Sequence, residues 1–176
     1  MRTEQLRLEF DLELRWTVFP LHPETPEQGQ SLEQLFAGRI DVPSVLARLK
    51  QVADSLELPF CTRTHTYNSR RAQELGKWAE QQGRGDAFRA AIYQAYFAEG
   101  RNIAKTTELA TIVAALELSV TEAQQVLNEQ TFASAVDADW QRSRNLRVSS
   151  VPTHHYESRT LVGFQEYAAF RRLISG

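Results

Sequence analysis

Arg147-Val-Ser-Ser-Val-Pro-Thr-His-His-Tyr156, Glu157-Ser-Arg159 and Thr160-Leu-Val-Gly-Phe164 form the stretch that decides the fold. It reads as strand, tight turn, strand, followed by a helix from about Gln165 to Ser175. Pro152 carries no N–H, so it belongs at a strand start or at a sheet edge. The Val151–Pro152 bond is a candidate for a cis peptide.

Toward the N-terminus, Phe10, Leu12, Leu14, Trp16 and Val18 alternate with Asp11, Glu13, Arg15 and Thr17. That period of two predicts a strand over Phe10–Val18 with one apolar face. Pro20 and Pro23 end it, and Pro20 to Gln30 is a polar loop with three prolines. The middle of the chain is mostly a series of helical patterns. Ser31 and Gln34 form a capping box for a short helix ending near Gly38. A second helix opens around Asp41-Val-Pro-Ser44 and stops at Pro59. Phe60 to Tyr67 is extended or irregular. Asn68 or Ser69 caps a helix running to about Gln82, and Asp86 caps the next, which ends at Gly100. Further helices open at Thr106 or Thr107, at Ser119 and near Phe132. An all-helical segment, residues 31–146, is thus inserted between one strand and a terminal hairpin plus helix.

The 176 residues carry a formal net charge of -2, with 42% hydrophobic and 24% charged residues. This is the composition of a soluble globular chain. The short basic runs Arg70-Arg71 and Arg171-Arg172 lie in helical context, so nucleic acid is not expected as a partner. No segment has the apolar length of a membrane span, and the charged start is not a signal peptide. One cysteine, Cys61, excludes an intramolecular disulfide framework. A cytoplasmic location follows as the default.

Several stretches in this order resemble the DsbA-like thioredoxin superfamily, and within it the FrnE-type branch. They are Trp16-Thr-Val-Phe-Pro-Leu-His-Pro-Glu24, Asn68-Ser69 ahead of an Ala-x-Glu-Leu helix, Gln94-Ala-Tyr-Phe-Ala-Glu-Gly-Arg-Asn-Ile103, and Val148-Ser-Ser-Val-Pro-Thr153. The resemblance implies an α/β fold: a truncated thioredoxin-like sheet with a large all-helical insertion. Residues 1–30 and 147–176 would make the partial thioredoxin-like subdomain, and residues 31–146 the helical one. The family activity is thiol–disulfide exchange on protein or peptide thiols. By resemblance, Val151, Pro152 and Thr153 are the substrate-binding residues.

The departures matter equally. The family's first strand and Cys-x-x-Cys precede the segment that matches Phe10 here. That chemistry places a thiolate at a helix N-terminus, where the dipole and free N–H groups lower its pKa. No catalytic residue, cofactor or metal site is therefore expected. His154 and His155 stand where the family places bulky apolar residues. Adjacent strand residues point to opposite faces, a poor arrangement for a shared metal ion. Cys61 reads either as a redox cysteine or as a small, half-buried residue beside Pro59 and Phe60. Two other functions stay open: a non-catalytic protein-binding relic of the fold, and a glutathione-dependent isomerase or transferase of the same superfamily.

One expectation concerns the sheet. In the family topology, the Phe10–Val18 and Pro152–Glu157 strands flank a central strand. Without it, the two strands would pair directly, Met1–Glu9 would fold into the slot, or two chains would form a homodimer across their edges.

Overall fold

The computed structural model describes residues 2–176. The chain divides into two compact units, one of residues 1–21 and 137–176, the other of residues 22–136.

The larger unit is built on helices. Strand β1 (Gln30–Ser31) leads into α2 (Leu32–Phe36), and α3 (Val42–Ser55) follows. Strand β2 (His65–Thr66) pairs antiparallel with β1, Gln30 opposite Thr66 and Ser31 opposite His65. Helices α4 (Arg70–Gln81) and α5 (Gly85–Tyr93) come next, and α5 runs into one turn of π-helix, Gln94–Ala98. Helices α6 (Thr106–Ala115) and α7 (Val120–Glu129) complete the set, and α8 (Ala133–Asn145) begins here.

Local chemistry explains the helix starts. Ser31 and Gln34 make the reciprocal capping box, Asp41 caps α3 and Ser119 caps α7. Asn68 Oδ1 accepts the Arg70 N–H at 2.8 Å, so it is Asn68 that serves the first turn of α4. Asp86 lies inside the first turn of α5 and does not cap it. The core packs Leu75, Trp78, Phe88, Leu109, Ile112 and Val113 together. The proline loop is clamped onto these helices. Asn68 Nδ2 donates to the carbonyls of Pro23 at 3.0 Å and Thr25 at 2.8 Å. Asn102 Nδ2 donates to the Glu27 carbonyl at 3.0 Å. The middle of the chain is therefore not all helical, because Phe60–Tyr67 contributes β2.

The smaller unit contains α1 (Arg2–Phe10), the end of α8, β3 (Thr153–Tyr156), β4 (Arg159–Val162) and α9 (Tyr167–Ser175). Its buried apolar side chains are Leu6, Phe170 and Leu173. Polar contacts supplement this small core. Arg171 pairs with Glu9 at 2.7 Å, Tyr167 donates to Glu9, and Arg2 Nη1 donates to the Gln165 carbonyl at 2.7 Å.

The strand expected over Phe10–Val18 is not formed. Arg2–Phe10 is helical and ends at Asp11, in the left-handed region with φ +50. The Leu12 N–H returns to the Arg7 carbonyl at 3.0 Å, the bond that closes a Schellman-type helix end. Beyond it the chain has no regular structure as far as Pro20. The period of two holds in burial only as far as Arg15, with Leu12 and Leu14 half-buried and Glu13 and Arg15 exposed; it breaks at Trp16, which is exposed, and Thr17, which is half-buried. Extended backbone becomes a strand only with a ladder partner, and among the described residues this segment has none. It is held instead by Asp139 on α8, whose carboxylate accepts the Val18 N–H at 3.0 Å and lies 3.7 Å from Arg15. The expectation of two strands flanking an empty central position falls with it. So does insertion of residues 2–9 as a strand, since they are helical; Met1 lies outside the described residues.

Candidate functional site at the Pro152 corner

Strands β3 and β4 form an antiparallel hairpin with Thr153 opposite Val162, His154 opposite Leu161, His155 opposite Thr160 and Tyr156 opposite Arg159. Glu157, at φ +53, turns the chain between them. One step beyond β3, Pro152 accepts the Gly163 N–H at 2.8 Å. Having no N–H, Pro152 engages β4 through its carbonyl alone. Its Val151 peptide bond is cis.

The hydrogen bond from Gly163 to Pro152 extends the β3–β4 ladder by one residue. In an antiparallel ladder, residues alternate between pointing their N–H and C=O at the partner and pointing them away. Pro152, His154 and Tyr156 face β4, so within β3 Thr153 and His155 direct theirs to the other side. Among the described residues, no hydrogen bond engages the Val151 N–H or C=O. Val151 is 46% exposed. Thr153 is half-buried, and its hydroxyl donates to the Ser150 carbonyl at 2.7 Å, fixing the approach to the corner.

The two histidines lie on opposite faces. The His154 ring meets Phe170 edge-on with 4.7 Å between centroids. Among the described residues its buried Nδ1 makes no well-formed hydrogen bond, and burial lowers the imidazole pKa, an effect the nearby Leu161 backbone partly offsets. His155 is exposed, with Nδ1 at 3.0 Å from the Thr160 hydroxyl. The polar pair is thus divided, one ring under α9 and one in solvent.

Val151, Pro152 and Thr153 are brought to one exposed corner, where an extended peptide can reach a free backbone donor and acceptor. Cys61 belongs to the other unit; it is half-buried, and its N–H donates to the Phe97 carbonyl at 2.8 Å. His22, also in that unit, sits edge-on to Phe36 at 6.2 Å. Burial, and then the charge of Arg63, lower its pKa. The sequence reading did not single out Val162 and Phe164, 48% and 56% exposed, which add apolar surface beside the corner. The signal was there: β-strand period places Val162 across from Thr153 on the face away from α9.

Comparison with solved structures gives the same fold. A probable DsbA oxidoreductase from Streptomyces coelicolor superposes with a TM-score of 0.85 at 20% identity, over 97% of this chain and 79% of that one. A 2-hydroxychromene-2-carboxylate isomerase superposes with a TM-score of 0.74 at 16% identity, over 99% of this chain and 84% of that one. No curated protein matches the sequence. The model of the DSBA-like thioredoxin domain matches residues 2–175. Matched by that model over nearly its whole length, this chain belongs to the DsbA-like thioredoxin-domain family.

Proposed function

We propose that this chain is a FrnE-type member of the family that binds an extended, thiol-bearing peptide along Val151, Pro152 and Thr153. It does not carry out dithiol–disulfide exchange by itself. The observation that carries the reading is the unpaired N–H and C=O of Val151 at an exposed corner. A peptide strand laid alongside would satisfy both groups, as in other strand additions to a sheet edge. Each such bond contributes only about 0.5–1.5 kcal/mol net, so side chains near Val162 and Phe164 would supply the remainder.

The redox half of the reading rests on sulfur count. Exchange within one chain needs an attacking thiolate and a second sulfur to resolve the mixed disulfide. Cys61 is the one cysteine of the sequence. An insulin-reduction assay with dithiothreitol tests this. The chain and its Cys61→Ser variant should run at the same background rate. Turnover above that of the variant would contradict the reading.

A further inference from the structure

Arg63, in the larger unit, carries a charge that no acidic side chain balances. Among the described residues it forms no ion pair. Its Nη1 donates to the Tyr96 phenol, whose oxygen also lies 3.1 Å from the Thr66 hydroxyl. The guanidinium stands over the Tyr96 ring at 4.7 Å and over the Phe97 ring at 5.3 Å. The π-helical turn places these two rings side by side, at 4.8 Å and 77°. Such turns recur at functional sites.

Stacking leaves the in-plane edges of a guanidinium for hydrogen bonding. On one edge, Nε is buried and has no acceptor. Nη2, on that same edge, has no protein acceptor and is not enclosed. Leaving a buried donor unmet is unfavourable, and the Nε/Nη2 edge matches the two oxygens of a carboxylate.

We infer that Arg63, walled by Tyr96 and Phe97, is a binding site for a single carboxylate group. The charge favours a carboxylate over a phosphate. Arg63 contributes one positive charge. His22, which feels the Arg63 charge, is held toward its neutral form. A dianion would find one cation, whereas a monoanion is matched. The aromatic walls favour a planar or apolar body behind the carboxylate. That group could belong to a small acid or to a peptide C-terminus.

Two probes separate the sources: sodium benzoate, and the tripeptide Gly-Gly-Phe with a free or an amidated C-terminus. The readout is the arginine Nε–H region of a ¹⁵N–¹H spectrum, with Arg63 assigned by the Arg63→Lys variant. The Arg63 Nε–H signal should move saturably with benzoate, with free Gly-Gly-Phe, or with both, and stay still with the amide. Movement with benzoate alone assigns a small acid, and with the free peptide alone a C-terminus. The Tyr96→Phe variant keeps the stacking and loses the phenol. Its affinity should fall several-fold, while Arg63→Lys should weaken binding by about tenfold or more. An unmoved Arg63 signal with both free acids, or equal shifts with the amide, would overturn the assignment.

Discussion

Gly163 donates its N–H to the Pro152 carbonyl at 2.8 Å, and this bond carries the β3–β4 ladder up to the Val151 corner. It makes Pro152 a partner-facing residue and leaves Thr153 facing outward. Gly163 adopts φ +82, a left-handed conformation open to glycine at little cost.

Two glycines with left-handed backbones should respond differently to alanine. At Gly163 an added Cβ would meet only Gln165 Nε2, at 3.9 Å. The cost is then conformational, roughly 1–2 kcal/mol. At Gly29, φ +90, the Cβ would lie 2.5 Å from the Tyr67 ring and 2.9 Å from the Thr66 carbonyl. Overpacking adds about 1–3 kcal/mol to the same backbone term. Urea unfolding should rank Gly29→Ala as the more damaging. The reverse order would show the Gly29 turn to be softer than it looks.

Arg70 and Glu74 form a pair whose loss is asymmetric. Arg70 Nε donates to Glu74 Oε1 at 2.7 Å, and the Glu74 side chain is only 7% exposed. Arg70 Nη2 also reaches the Ala133 carbonyl at 2.9 Å. Arg70→Ala strands a buried carboxylate and should cost about 3–5 kcal/mol. Replacing both residues by leucine should cost clearly less than Arg70→Ala, because the buried Glu74 carboxylate is not left behind. Denaturant midpoints for the single and double variants check this, and a double variant at least as unstable as the single one would refute it.

His154 should make stability depend on pH. Burial lowers its folded pKa below the ordinary histidine value of about 6.5. The unfolded chain therefore takes up the proton first as pH falls. Its contribution is complete above the unfolded pKa and is lost as pH drops from near 6.5 toward the folded value. His22 shifts in the same direction, so His154→Leu should remove only part of the slope. Relative to the parent, this variant should be more stable at mildly acidic pH than at neutral pH. Unfolding curves that stay parallel across that range would contradict the assignment.

The hairpin, its proline entry and the helix caps at Ser31, Asp41 and Ser119 were legible because each depends on neighbours in sequence. Arg2–Phe10 was not, because Leu6, Leu8 and Phe10 fit a strand period as readily as a helix. The Phe10–Val18 alternation matched burial only as far as Arg15, and no strand formed, because a ladder depends on distant residues. Arg63 escaped notice for a related reason. A lone arginine has no motif, and its rings at Tyr96 and Phe97 lie more than thirty positions away. Asn68 was read as a cap, which it is, but its grip on Pro23 and Thr25 is a tertiary feature.

The most direct test of the Pro152 corner is a ¹⁵N–¹H titration with an extended, cysteine-containing pentapeptide blocked at both ends. The expected result is a saturable shift of the Val151 and Thr153 amides, with His154 and Tyr156, bonded to β4, moving less. Peptide binding that leaves Val151 unmoved, or no binding at millimolar peptide, would contradict the proposal.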